Sequence, residues 1–184
     1  MTAAEFESTL TDRYEVGRAA GWGELILRHE LFEAAMDIAL QPASHSSYPF
    51  RASYALERAF LKAPQRFVPY YDRFVRDFLA VTHHSVFRHY GKIMATLLKK
   101  RQLRLTDDEA HRVAETALWR LVDESVAVGA RVWSLDILYH LRQRLPWIDS
   151  ELPAVIDTLK RNPSPATISR LRRYGWMKRG KPQR

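Results

Sequence analysis

The chain contains no cysteine, which excludes a disulfide framework and any thiolate metal site. Glycine is scarce, at 7 of 184 residues, and neither Asn-Gly nor Asp-Gly occurs. With no long alternating run of β-branched residues either, a hairpin-rich β protein is excluded. No apolar run approaches the roughly 20 residues that cross a bilayer. The opening Met1-Thr2-Ala3-Ala4-Glu5-Phe6-Glu7 is acidic and lacks the basic-then-apolar pattern of an export signal, so the expected compartment is the cytoplasm. Acids are missing from residues 160–184, which carry nine bases: Lys160, Arg161, Arg170, Arg172, Arg173, Lys178, Arg179, Lys181 and Arg184. The remaining 20 bases face 21 acids, so the net charge of +8 belongs to the C-terminal end.

What is present is helical spacing. Ala110, Val113, Ala114, Ala117, Leu118 and Leu121 recur at i, i+3, i+4, i+7, i+8 and i+11, placing one apolar stripe on one helix face. Val86, Tyr90, Ile93, Met94, Leu97 and Leu98 form a second stripe, and Leu152, Val155, Ile156 and Leu159 a third. Ser47 before Pro49 and Ser164 before Pro165 read as N-terminal caps with proline in the first turn. Thr106 and Glu109 have the spacing of a capping box. Pro42, Pro64, Pro146 and Pro163 fall between stripes, as their missing N–H requires.

An arginine opens successive apolar runs at Phe50-Arg51, Phe87-Arg88, Ala130-Arg131 and, more faintly, Ser169-Arg170. The offsets are about 37, 43 and 39 residues, the period range of two-helix solenoid repeats. The predicted helix pairs are 30–40 with 49–62, 66–80 with 84–100, 106–123 with 126–145, and 148–161 with 165–174. Residues 1–29, interrupted by Gly17, Gly21 and Gly23, are expected to be a helical cap on a solenoid spanning 30–174. Residues 175–184 are expected to be a basic, disordered tail.

The runs Phe50-Arg51-Ala52-Ser53-Tyr54-Ala55-Leu56, Val86-Phe87-Arg88-His89-Tyr90-Gly91-Lys92-Ile93 and Ala130-Arg131-Val132-Trp133-Ser134-Leu135-Asp136-Ile137-Leu138 resemble the second helix of HEAT repeats in the HEAT and armadillo superfamily. More narrowly, residues 51–57, 83–89 and 134–141 are similar to small bacterial HEAT-like proteins without an established activity. Some of those carry the label adenylosuccinate lyase. The glycine-, methionine-, lysine- and asparagine-rich serine loop of such lyases has no counterpart here. Ser44-His45-Ser46-Ser47 reads instead as an inter-helix loop.

The resemblance implies an all-α, short right-handed α-solenoid of about four helix pairs, with the second helices lining a concave face. The candidate contact residues there are Arg51, Arg58, Arg88, Lys92, Arg131, Arg170 and Arg173, accompanied by Lys62, Lys99 and Arg142 and diluted by Glu57 and Asp136. A competing role exists for Arg51, Arg88 and Arg131, namely hydrogen bonding to carbonyls or acids of the neighbouring repeat.

No residue set points to catalysis, a cofactor or a metal. His83, His84 and His89 lack the i, i+4 spacing that meets one zinc ion on a helix. Asp107-Asp108 and Asp123-Glu124 fall at helix ends, where acids serve the macrodipole or solvent. Trp133 and Asp136, with Trp119, are the nearest approach to the aromatic-flanked acid of HEAT-like DNA glycosylases. The C-terminal bases, interleaved with Tyr174 and Trp176, suit phosphates and bases; alternatively Ile168, Leu171 and Tyr174 close the stack as an amphipathic helix. The expected function is a non-enzymatic interaction module offering a basic face to an acidic protein segment, the alternative being nucleic-acid binding through the same ladder and tail.

Overall fold

A computed structural model of the protein describes residues 1–10, 18–42 and 47–178. Gly17, the Ser44-His45-Ser46 loop residues and the tail bases Arg179, Lys181 and Arg184 lie outside the described residues. Those described are all-helical, without a strand. In chain order the helices are α1 (Ala3–Thr9), α2 (Arg18–His29), α3 (Phe32–Ala39), α4 (Tyr48–Lys62), a 3-10 helix (Pro64–Tyr70), α5 (Tyr71–Ala80), α6 (His84–Lys99), α7 (Asp107–Val122), α8 (Val128–Leu141), α9 (Trp147–Arg161) and α10 (Pro165–Arg173). None of the described helices is long and apolar enough to cross a membrane.

Local chemistry explains the boundaries. At α7 the Thr106 hydroxyl accepts from the Glu109 N–H at 3.2 Å while the Glu109 carboxylate accepts from the Thr106 N–H at 2.8 Å, completing the expected capping box. Thr2 and Glu5 repeat the same device at α1. Ser164 caps α10 by accepting from the Thr167 N–H at 3.1 Å. Ser47 makes no side-chain cap at α4. The helix predicted from residue 66 begins as 3-10 and becomes α-helical only at Tyr71. Pro69 has no N–H to donate, and in an α-helix its ring would collide with the carbonyl four residues back. The predicted 126–145 helix is trimmed to Val128–Leu141, because the Asp123 carboxylate accepts from the Ser125 N–H at 2.9 Å and holds a turn ahead of it.

The chain divides into two compact units, Met1–Ile93 and Met94–Arg184, with the division inside α6. In the first unit α4 packs against α2 and α3. Phe67, carried by the 3-10 helix, is fully buried and lies 5.7 Å from Phe32 of α3, 5.5 Å from Phe60 of α4 and 5.4 Å from Phe74 of α5, ring centre to ring centre. Burying a side chain of this size contributes about 1.5–3 kcal/mol; four rings sharing one contact set tie three α-helices to a segment that has no regular bonding of its own. In the second unit α7 and α8 form a helical hairpin, and α10 returns against α8 and α9.

Several polar contacts between elements join residues at similar separations within each unit. Gln41–Glu7, Arg73–Asp37, Ser53–His89 and Lys62–Glu24 join residues 34, 36, 36 and 38 positions apart. Arg144–Asp107 and Tyr174–Asp136, in the second unit, join residues 37 and 38 apart.

Gly21 and Gly23 do not interrupt helix α2; both lie inside it. Their roles differ. A Cβ on Gly23 would sit 2.8 Å from the Arg58 Cβ and 3.1 Å from the Ala59 backbone nitrogen, so this glycine permits the close approach of α2 and α4. Nothing lies within 4 Å of a Cβ on Gly21. Gly21→Ala is therefore expected to stabilise the protein by about 0.5–1 kcal/mol through helix propensity, and Gly23→Ala to destabilise it by about 1–3 kcal/mol through overpacking. Urea denaturation of the two variants measures this. Shifts of the same sign would refute the close-approach role of Gly23.

Candidate functional site

The candidate basic residues fall into two groups by burial. Arg51 is half-buried and donates from its guanidinium to the carbonyl of Leu10, at the C-terminal end of α1. Arg131 is half-buried and donates from Nε to the carbonyl of Leu121 at 3.0 Å, at the end of α7. Both forks satisfy carbonyls that a helix end leaves without an intrahelical donor. The Lys92 ammonium meets the buried Glu57 carboxylate at 2.5 Å. Nε of Arg170 lies 2.9 Å from Oδ1 of the buried Asp136, and its guanidinium sits 4.7 Å above the Trp133 ring. The acids that dilute the basic ladder in sequence thus each hold one of its cations. Arg58, Arg88 and Arg173 are exposed.

Asp136 anchors α8 to α10. It is 4% exposed, and besides Arg170 it accepts a 2.7 Å hydrogen bond from the Tyr174 hydroxyl. Burial raises its pKa, opposed by the Tyr174 hydrogen bond and the Arg170 charge. Tyr174 stacks on Tyr139 at 3.8 Å and Trp176 packs edge-on to both. Here Ile168 and Leu171 lie in α10 and Tyr174 caps its C-terminal end, while Trp119 stands 73% exposed on α7. Asp136 and Trp133 are consumed by their neighbours and offer a substrate no accessible carboxylate.

The histidines divide likewise. His83 Nδ1 accepts from the Ser85 N–H at 3.2 Å at the start of α6. His89 is buried, flanked by the rings of Phe50 and Tyr54, each 5.1 Å away, with Nδ1 2.8 Å from the Ser53 hydroxyl. That hydroxyl donates to the Phe50 carbonyl at 2.9 Å, so the proton between Ser53 and His89 comes from Nδ1. Burial, reinforced by the charges of Arg88 and Lys92, lowers the His89 pKa to about 3. Among the described residues no group of three or more His, Asp or Glu is placed to hold a metal ion.

One cavity collects cations that the arginine pattern in sequence does not unite. It measures about 340 Å³ and lies in the second unit, lined by Leu98, Lys99 and Arg101 after α6 and by Tyr139, His140, Arg142, Gln143 and Arg144 at the end of α8. No acid lines it. The Arg142 guanidinium sits 4.5 Å over the Tyr139 ring. Arg144 is anchored to the Asp107 carboxylate at 2.5 Å and the Leu105 carbonyl at 2.8 Å. Burial lowers the pKa of His140, partly offset by Asp136, with Lys99 adding to the lowering.

Arg101 occupies this cavity at a conformational cost. Helix α6 ends with the Arg101 N–H bonded to the Leu98 carbonyl at 3.1 Å and the Gln102 N–H to the Leu97 carbonyl at 3.0 Å, a motif that puts the intervening residue at positive φ. Helix α10 closes the same way, with Gly175 at φ +75°. Arg101 takes the glycine position at φ +54°, a left-handed conformation that costs an L-residue about 1 kcal/mol. Glu30, at φ +54° after α2, shares the strain and uses its carboxylate to pair with Arg66.

Charge follows the division of the chain. Residues 1–93 carry 11 Lys and Arg against 11 Asp and Glu, and residues 94–184 carry 18 against 10, so the whole +8 resides in the second unit. No protein-family model, curated protein or solved structure matches this chain.

The His89 environment has a pH signature. Its folded-state pKa lies below the value of about 6.5 for an unfolded chain, so the unfolded state takes up a proton first as pH falls. The stability this confers is complete above about pH 6.5 and is lost progressively toward pH 3, by roughly 4–5 kcal/mol at most. Asp77 and Asp136, whose pKa values burial raises, act in the opposite sense. Urea denaturation from about pH 7 to pH 4 is expected to show a stability slope in the wild type that is shallower by up to one proton in His89→Gln. Identical slopes would show that His89 does not stay neutral in the folded protein.

Proposed function

We propose that the protein is a HEAT-like α-solenoid that serves as a non-enzymatic interaction module, its second unit binding an acidic protein segment. The confinement of the entire net charge to that unit carries the reading, since a one-signed surface steers and selects partners of the opposite sign. The exposed bases of α10, Arg172 and Arg173, and the cavity cations Lys99, Arg101 and Arg142 are the contact residues. The repeat reading is supported by arginine-led runs that recur at about 37, 43 and 39 residues and by several polar contacts between elements that span 34 to 41 positions. Stacked repeats of that length bring equivalent positions together.

A protein segment is favoured over nucleic acid by the state of the aromatic rings. Single-strand binding uses exposed rings as stacking platforms. Tyr139, Tyr174 and Trp176 are instead packed on one another and the ring of Trp133 is occupied by Arg170, while Trp119 of α7 stands exposed as an isolated ring and not as part of a stacked platform.

Fluorescence anisotropy with a labelled poly-glutamate peptide and with labelled single- and double-stranded oligonucleotides, at about 50 mM and 200 mM salt, tests this directly. The peptide is expected to bind at the lower salt and to weaken severalfold for Arg172→Glu/Arg173→Glu. Tighter oligonucleotide binding with a steep salt slope would replace this reading with the nucleic-acid one. Failure of the peptide to bind at the lower salt would remove it.

A further inference from the structure

The cavity between the ends of α6 and α8 has the charge balance of a phosphate site. Four cations line it, Lys99, Arg101, Arg142 and Arg144, and Asp107 neutralises one of them through Arg144. The carbonyl ends of the two helices contribute about half a negative charge each. Cations of this kind commonly serve such ends, but here they exceed what the ends and Asp107 offset, leaving an excess of about two positive charges. A carboxylate cancels one charge. A phosphate monoester carries about −1.5 to −2 at neutral pH and presents three acceptor oxygens.

Geometry supports the same class. Guanidinium groups match phosphate oxygens with paired donors. Arg142 is held over the Tyr139 ring and so is oriented in advance, whereas each guanidinium nitrogen of Arg144 already donates to Asp107 or the Leu105 carbonyl, which fixes Arg144 as part of the cavity wall. Arg101 adds the third guanidinium from a backbone position where glycine would fit without strain. Its side chain takes no hydrogen bond or ion pair among the described residues, unlike Glu30, which spends the same strain on Arg66. Like-charge crowding in the cavity is relieved by an anion.

We propose that this cavity binds a phosphate monoester dianion, and, resting on the function proposed above, that the carrier is a phosphorylated side chain of the acidic partner. A phosphodiester, with one charge per phosphate, leaves the balance incomplete.

The test separates binding from stability. Inorganic phosphate and acetate at matched ionic strength are titrated against the full chain, read by NMR of the arginine side-chain N–H groups. An acidic Glu-Gly peptide containing one serine is compared with its phosphoserine form by anisotropy. Phosphate, not acetate, is expected to shift the cavity arginine signals, and the phosphopeptide to bind on the order of tenfold more tightly, the equivalent of one charge-assisted hydrogen-bond pair. Arg142→Ala is expected to erase that gain. Arg101→Gly is expected to reduce it while raising the melting temperature, because glycine relieves the positive φ; a purely structural arginine would give the rise without the loss. Equal affinities of the two peptides, or equal responses to phosphate and acetate, would overturn the site while leaving the module reading intact if both peptides bind. Binding by neither peptide would overturn both.

Discussion

An excess of eight positive charges confined to half a chain is a self-repulsion that the fold must offset. Two unit charges about 7 Å apart repel by roughly 0.6 kcal/mol in water and by several times that where the effective dielectric falls. Single pairs are therefore tolerable and a crowded set is not. The second unit meets this by placing its few acids at points of greatest effect. Asp107 and Asp108 open α7, where they favour the helix dipole, and reach Arg144 and Arg112. Asp157 pairs with Lys160 along α9. Asp136 is committed to the interior, where it holds Arg170 and Tyr174. Cations beyond these pairs gather at the ends of α6 and α8 and along α10, so the surface charge there is what the internal compensation leaves over.

Burial decides which arginines belong to the scaffold. Arg51 and Arg131 spend their donors on helix-end carbonyls, and Arg170 is trapped between a carboxylate and an indole ring. Removing any of these leaves a polar group unmatched in a partly desolvated place, which costs more than the contact contributes when made. Arg172 and Arg173 differ only in facing outward from the same helix as Arg170. One helix thus serves structure on one face and solvent on the other, and a substitution there has its effect set by the face it falls on.

The helices and much of their capping were legible in sequence because their signals are local. The 110–121 stripe and the Thr106–Glu109 box need only four-residue neighbourhoods, and both are realised in α7. The doubling of Arg51 and Arg131 as carbonyl donors was legible as one of two roles, since a recurring arginine ahead of an apolar run has a reason in either. The 3-10 helix was missed because apolar spacing around Phe67 does not register the missing N–H of Pro69 until the chain must place that ring. Gly23 looks like an interruption in sequence because glycine's weak helix propensity is visible there and the approach of Arg58 and Ala59 is not. The cavity was invisible for a related reason. Lys99 and Arg101 stand some forty positions from Tyr139, His140 and Arg144, and arginine carries no sequence sign of positive φ.

Contacts that join residues 34 to 41 positions apart, rather than the ends of the chain, make stability a property of neighbouring elements. Within each unit, loss of one such contact is felt first by the two elements that share it. A chain built this way can vary the outward residues of one helix pair at little cost to the others. That independence is what allows half of the molecule to be neutral and the other half strongly basic, and it allows a strained arginine to persist after α6, where its cost is borne by one helix end.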